Sequence, residues 1–468
     1  MSDDLGFEME VVDTESAKDS SSDVGQQTSP TGKKKKQQTQ TETPSAKLWP
    51  SIPEDWEMVA GNEVYDANPT RYGADGEVDY IEMDALKTDL PDPKYVGRRD
   101  PSDYSGQMFA SGDTLFAQIT PCTENGKAAL VPELRSEVGI GSTEFIVLSP
   151  NRAKILPDYL YYLSKSHPVH NYAVSRMRGS TGRQRVPVDV FRKELQIPLP
   201  PLPEQRKIAS VLHAVDRAIQ KTEEIIERTQ HVQRGLLQEL LRTGYWNHET
   251  EHAGALGKTP KDWRKVKLHE VAKVQRGKFT HRPRNDPGFY DGDYPFIQTG
   301  EVVEATGELF DYSQTLNEKG KGVSKRFEAG TIILTIAGNI GDTAVATFPV
   351  YFPDSLVGIT PSDEVDPYFL EFYLRERKPY LNRLATETTQ KNLNLSLLRP
   401  VDVAIPPLEE QRKIAGVLKG LDSKIRTERG YVSCLHELKK GLMQDLLTGE
   451  VRTVDKAIEV LEEVQTHG

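Results

Sequence analysis

Pro201-Leu202-Pro203-Glu204-Gln205-Arg206-Lys207-Ile208-Ala209 returns later in the chain as Pro407-Leu408-Glu409-Glu410-Gln411-Arg412-Lys413-Ile414-Ala415. Ile208 and Ile414 stand 206 residues apart, and the same offset holds through Val211/Val417, Leu212/Leu418, Asp216/Asp422, Ile219/Ile425, Gly235/Gly441, Gln238/Gln444 and Leu241/Leu447. An ungapped match of that length marks an internal duplication, so the chain is taken as a repeat architecture from the outset.

Downstream of each copy the apolar pattern predicts one long helix. The first stripe runs Ile208, Leu212, Val215, Ile219, Thr222, Ile226, Thr229, Leu236 and Leu240, broken at Gln233. The second runs Ile414, Leu418, Leu421, Ile425, Val432, Leu435, Leu442 and Leu446, broken at Glu428 and Lys439. Alternating steps of four and three over several heptads are the pattern of a coiled coil, and two stripes of equal length in one chain suggest that they pair with each other. Pro203 and Pro407, each followed by Glu, suit a helix N-terminus, where proline loses no hydrogen bond and a carboxylate meets the positive dipole end. About 40 residues at 1.5 Å each make a rod of roughly 60 Å.

At 468 residues the chain has room for two or three domains with real cores. It shows no apolar run long enough to span a bilayer and no apolar leader, so a soluble, cytoplasmic protein is expected. Two cysteines, Cys122 and Cys434, suit a reducing compartment and are expected to be unreactive packing residues. No Cys/His cluster has zinc spacing. The formal net charge of −11 is only a weak argument against a nucleic-acid partner, because binding depends on where the positive charge sits.

Residues 1–47 are rich in Asp, Glu, Ser, Thr, Gln and Lys and are expected to form a disordered tail, whose Lys33 to Lys36 run is expected to be solvated. Order is expected from Ile52-Pro53-Glu54-Asp55-Trp56, a pattern repeated at Thr259-Pro260-Lys261-Asp262-Trp263. The two tryptophans are expected to anchor their segments. Between these openings and the helices, Tyr80 to Leu86 aligns with Phe296 to Val302 as a short strand with a turn. Phe109 to Phe116 aligns with Phe327 to Leu334 as a Gly turn into a buried strand, and helical patterns follow at Asp158 to Lys165 and Pro367 to Arg377. Each half is therefore a mixed α/β segment followed by a rod. The polar loops differ between halves: Arg178 to Arg185 against Thr386 to Asn392, and Pro121 to Lys127 against Ile336 to Asp342. A shared frame with different loops points to two different reading heads.

These features resemble the specificity subunits of type I restriction and modification systems. The resemblance is carried by the duplicated Glu-Gln-Arg-Lys-Ile-Ala segments, the helix exits Leu236 to Leu241 and Leu442 to Leu447, the Pro-x-Asp-Trp openings, and the Ile119-Thr120-Pro121-Cys122-Thr123-Glu124-Asn125-Gly126-Lys127 run. It covers roughly residues 50 to 452; the N-terminal tail and the short helix-like end from Val454 to Val464 fall outside it. It implies an α+β fold: two mixed α/β target-recognition domains separated by two long antiparallel coiled-coil helices, related by a pseudo-twofold. The expected boundaries are a tail at 1–47, recognition domain 1 at 48–200, helix 1 at 201–243, a linker at 244–258, recognition domain 2 at 259–406, helix 2 at 407–448 and a C-terminal tail at 449–468. Each domain would read one half of a bipartite site in double-stranded DNA, with the helices setting the unread spacer. The helices would also dock two methyltransferase subunits, which restriction subunits join. S-adenosylmethionine, ATP and magnesium would belong to those partners, and this chain would carry no cofactor, no metal and no catalytic residue.

The residues agree with a non-catalytic role. No Gly-x-x-x-x-Gly-Lys-Ser/Thr loop occurs; Asp286-Pro287-Gly288-Phe289-Tyr290 lacks the second proline of an adenine methylase motif, and Pro353-Asp354 with Glu376-Arg377-Lys378 lacks the strand that would aim a nuclease triad. For DNA contact the candidates are Ser180, Thr181, Arg183, Gln184 and Arg185 in the first half and Arg276, Lys278, Gln390, Lys391 and Asn392 in the second, with Arg282 and Arg284 nearby. Arg grips guanine and Gln or Asn grips adenine through paired hydrogen bonds, while most cations meet phosphate. Glu204, Gln205, Arg206, Glu410, Gln411 and Arg412 are expected to seat a partner. Opposite charge on the two rods, with Glu223, Glu224 and Glu227 facing Arg426, Arg429, Lys439 and Lys440, is expected to help set an antiparallel register. Two other classes remain: an interaction scaffold that reads no DNA, and a self-sufficient nuclease or methylase.

Overall fold

The computed structural model describes residues 48–49, 51–72, 76–180, 182–386 and 392–453. The expectations for the tail through residue 47 and for the end beyond Thr453 lie outside them, as do Thr181, Gln390 and Lys391.

Each half opens and closes on the same two-stranded ladder. Glu57–Ala60 pairs antiparallel with Gln196–Leu199, and Arg264–Lys267 pairs antiparallel with Asp402–Ile405. A Pro-Pro step, Pro200-Pro201 or Pro406-Pro407, follows each closing strand; proline cannot donate to a ladder but is tolerated at a helix start. Four helices carry the rest: α1 (Pro157–Lys165), α2 (Leu202–Thr243), α3 (Pro367–Glu376) and α4 (Leu408–Thr448). Both long helices end on a glycine at positive φ, Gly244 at 76° and Gly449 at 74°, a conformation that side chains with a Cβ disfavour.

Between ladder and rod the halves differ. The first holds two four-stranded sheets, and the second a five-stranded sheet that begins at the edge strand Ala272–Arg276. The buried strands Thr114–Ala117 and Ile332–Thr335 follow Gly112 and Gly330, both at positive φ. Val78–Ile81 is a strand, but its aligned stretch is not: Tyr290–Pro295 ends before Phe296, and Thr299–Glu304 is helical. The Glu301 carboxylate accepts the Gln298 N–H at 3.0 Å, which closes the start of that turn and explains the departure from strand.

The rods run antiparallel. Lys439 Nζ of α4 stands 2.5 Å from Asp216 Oδ1 of α2, and Gln233 Nε2 of α2 donates to Asp422 Oδ1 of α4 at 2.7 Å. Asp216 and Asp422 are equivalent in the duplication, and so are Gln233 and Lys439. The positions that interrupt both apolar stripes are therefore where each rod meets the buried aspartate of the other. The stripes are not buried throughout. In α2 no residue from Glu223 to Val232 is buried, and in α4 none from Arg426 to Cys434. Burial resumes where each rod reaches the other half: Leu446 and Leu447 enter the first core with Ile208, Val211 and Leu212, and Leu237 and Leu240 enter the second with Ile414 and Leu418. Each globular half is thus held by the start of its own rod and the end of the other.

The expected charge pairing between rod faces is not what sets this register. Arg426 and Arg429 reach the second half instead, Arg426 to Glu308 at 3.5 Å and Arg429 to Thr306 Oγ1 at 2.7 Å, while Arg228 pairs with Glu224 on its own helix. Trp56 and Trp263 are buried anchors as expected. Cys122 is half-buried, whereas Cys434 is exposed on α4 and so is not a packing residue; both are free thiols. Among the described residues no helix is long and apolar enough to cross a membrane.

Gln205 and Gln411, both fully buried, make the same three contacts. Gln205 accepts from the N–H of Leu156 at 2.8 Å and donates to Lys154 O and Pro200 O at 2.9 Å. Gln411 accepts from Asp366 N–H at 2.8 Å and donates to Glu364 O at 3.0 Å and Pro406 O at 2.8 Å. Leu156 and Asp366 are the N-caps of α1 and α3, so each glutamine fastens the root of a rod to a helix of its own half. Gln205→Ala is expected to cost about 1–3 kcal/mol, because it strands a buried N–H and two carbonyls; an unchanged thermal midpoint would refute the fastening role.

Candidate nucleic-acid interface

The first candidate loop is a closed hairpin. Arg178 and Arg185 exchange backbone hydrogen bonds at 2.9 Å, and Arg183 N–H donates to Ser180 O at 2.9 Å. Gly179 adopts φ of 134°, and a Cβ there would stand 2.6 Å from Arg183 O, so the tight closure requires glycine. The returning strand pairs with the Ile119 run: Thr120 N–H donates to Gln184 O at 3.0 Å and Val186 N–H to Gln118 O at 2.8 Å. The two polar loops of the first half therefore lie side by side.

Within this hairpin the two arginines differ. Arg185 is a bidentate partner of Glu144, with Nε and Nη2 at 2.8 and 2.5 Å from the carboxylate oxygens. That ion pair holds the Glu144 carboxyl below its usual range, with Arg183 adding a smaller field. Arg183 is exposed and makes no hydrogen bond or ion pair with its side chain among the described residues. Ser180 is exposed and Gln184 half-buried. Arg183 is thus the cation of the pair that is available to a ligand without breaking an internal bond.

In the second half Arg276 ends the edge strand and Lys278 follows it; both are exposed and neither forms an ion pair among the described residues. Lys278 is fixed by its backbone, which donates to Phe352 O at 3.0 Å. Arg282 and Arg284 are held in place, since both reach Asp354. Asn392 is half-buried. Sequence reasoning missed a cavity of about 180 Å³ beside these cations, lined by Phe279, Tyr290, Phe296, Arg284, Gln298 and Gln314 among others. Its only signal in the sequence was the spacing of aromatics, which is equally the signal of core.

The two enzyme-like motifs do not assemble. Asp286 accepts from Gly288 N–H at 2.9 Å and pairs with His281 at 2.9 Å. Asp354 is the partner of Arg282 and Arg284, Glu376 of Gln238, and Lys378 of Asp342.

The six residues expected to seat a partner separate by burial. Glu204, Gln205, Glu410 and Gln411 are buried. Glu204 accepts from Trp56 Nε1 at 2.9 Å and pairs with Arg452, which follows α4 and also grips Asp55. Glu410 accepts from Trp263 Nε1 at 3.2 Å and from Tyr245 N–H at 2.8 Å, beyond the end of α2. The root of each rod is thereby tied to the exit of the other. Only Arg206 and Arg412 face outward, which narrows the partner-seating expectation to those two.

Comparison with known proteins agrees with this arrangement. The family described as type I restriction modification DNA specificity domain matches residues 53–229 and 260–432, once in each half. The putative type I restriction enzyme MjaX specificity subunit of Methanocaldococcus jannaschii is 28% identical over 416 residues, 86% of this chain and 95% of that one. The type I restriction enzyme MjaVIII specificity subunit of the same organism is 29% identical over 329 residues, 67% of this chain and 75% of that one. The fold is shared with the type I restriction-modification system S subunit from M. genitalium, at a TM-score of 0.57 and 17% identity, over 87% of this chain and 99% of that one. With both halves of its duplication matched, the chain belongs to the type I restriction modification DNA specificity domain family.

Proposed function

We propose that this chain is the sequence-reading, non-catalytic subunit of a type I restriction and modification enzyme, and that it reads a bipartite site in double-stranded DNA. The observation that carries the proposal is the match of each half to the specificity domain, on a common frame that exposes different cationic loops. Residues 48–200 and 259–406 act as the two recognition domains. The rods, 201–243 and 407–448, act as an antiparallel coiled coil with pseudo-twofold symmetry, an assignment supported by the equivalent Asp216–Lys439 and Asp422–Gln233 contacts. The rods dock two methyltransferase subunits, with Arg206 and Arg412 in outward positions to meet them, and restriction subunits complete the assembly. S-adenosylmethionine, ATP and magnesium serve those partners.

Co-purification with the neighbouring methyltransferase subunit, followed by methylation mapping, tests the proposal. A split, asymmetric methylated motif is expected; its absence would leave the scaffold alternative standing. Within that complex Arg183→Ala is expected to weaken DNA binding. If Arg183 grips a base, one half-site loses about 1–3 kcal/mol of discrimination and the other is untouched; if it meets phosphate, the salt slope falls by about one. Equal affinity and slope in salt titrations would remove Arg183 from the interface.

A further inference from the structure

One cluster of ligating side chains is used by nothing described above. Asp89, on a loop of the first globular half, Glu223 of α2 and His436 of α4 bring one ligand atom each to within 4.8 Å of one another. Asp89 Oδ2 and His436 Nε2 are 3.7 Å apart. Three elements far apart in sequence supply one residue each, and packing fixes where they meet: Leu90 is buried against Val215, Ile219 and Leu435 of the two rods. Lys439 Nζ holds the Asp89 carbonyl, and Lys165 Nζ holds the Thr88 carbonyl at 2.7 Å.

The duplication supplies a comparison. At the position equivalent to Glu223 the second rod carries Arg429, which donates to Thr306 of the second half at 2.7 Å. There the rod offers a cation to the loop it faces. In the first half the rod offers a carboxylate to a loop that carries another carboxylate. Glu223 makes neither hydrogen bond nor ion pair among the described residues, and burial together with the Asp89 charge raises its pKa. Two carboxylates converging at this distance call for a positive charge between them. The imidazole beside them adds a nitrogen donor, and one imidazole with two carboxylates suits a divalent transition ion better than magnesium or calcium, which favour all-oxygen shells.

We propose that Asp89, Glu223 and His436 form a binding site for a divalent transition ion of the zinc class, which clamps the first globular half to both rods. Ligand atoms in a tetrahedral zinc shell sit roughly 3.3 Å apart, from metal–ligand bonds near 2.0–2.1 Å. The observed separations therefore close with small movements of side chains that are partly open to solvent. The remaining coordination positions face water.

The test is calorimetric titration of the full chain with zinc chloride at pH 7.5, with magnesium chloride as the contrasting probe, in a Cys122→Ser/Cys434→Ser background so that thiols contribute nothing. One saturable zinc site is expected, with no matching magnesium site. His436→Ala and Glu223→Gln should each weaken it by roughly tenfold or more, as loss of a ligand does, while Glu224→Gln on the same helix should leave it unchanged. Thermal unfolding with and without zinc provides the second readout, with a rise in midpoint that the two ligand variants lose. Absence of a saturable zinc site, or zinc affinity and midpoint shift that survive both ligand variants, would overturn the proposal. So would stabilisation that follows acidification to pH 6 equally with and without zinc, which would make the proton on His436 the only cation.

Discussion

Lys439→Met is expected to destabilise the chain by about 3–5 kcal/mol, the usual cost of leaving one member of a buried ion pair uncompensated. Lys439 and Asp216 have side chains only 7% and 3% exposed, at 2.5 Å, a charge contact whose geometry is not that of an aligned hydrogen bond. The other contact to the Asp216 carboxylate comes from the Tyr162 hydroxyl, at 2.5 Å. Without the ammonium, a carboxylate remains enclosed between two rods and α1 with a neutral donor for company. Asp216→Asn/Lys439→Met should recover most of the loss, since removing both charges removes the uncompensated one. Lys439→Gln, which copies the equivalent Gln233, should fall between the wild type and Lys439→Met. Denaturant midpoints for the four proteins decide it; a loss under about 1 kcal/mol for Lys439→Met would mean that solvent reaches Asp216 and that the pair behaves as a surface bridge.

Four residues inserted into the exposed middle of both rods, between Glu223 and Val232 and between Arg426 and Cys434, are expected to lengthen the tolerated spacer of the DNA site without altering either half-site. Both rods must change together, because each is fastened at both ends: α2 by Gln205 and Glu204 at its root and by Leu237 and Leu240 in the second core, α4 by Gln411 and Glu410 at its root and by Leu446 and Leu447 in the first. Four residues add about 6 Å of rod and close to one helical turn, so the faces that meet the globular halves keep their direction. Along a duplex that length corresponds to on the order of one to two base pairs. Methylation mapping of the assembled enzyme reads the spacer directly. An unchanged spacer with an intact complex would refute the idea that the rods measure it.

The frame of the fold was legible because duplication is a property of sequence alone. The offset between Ile208 and Ile414 required no coordinates, and the proline steps, the rod lengths and the glycine stops at Gly244 and Gly449 follow from local chemistry that each copy states twice. The candidate loops were legible only as loops. Arg183 and Arg185 are two residues apart and identical in type, and nothing local distinguishes them. Glu144, more than thirty residues away, occupies Arg185 and leaves Arg183 open. The conserved-looking Glu204 and Glu410 were read as surface because charged residues at a helix start are usually solvated. Their tryptophan partners lie almost 150 residues upstream.

By itself, then, the sequence determined the number of copies, the place where each rod begins and ends, and the absence of a phosphate loop or methylase motif, because these depend on neighbours within a few residues and on self-similarity. Tertiary structure alone decided that Gln233 and Lys439 are contacts and not flaws in the stripes, that each rod finishes in the other half's core, and which of two arginines is open to a ligand. Those outcomes depend on partners from distant parts of the chain, and burial changes what a polar side chain does: enclosed, it must be paired, and the fold chooses the pair.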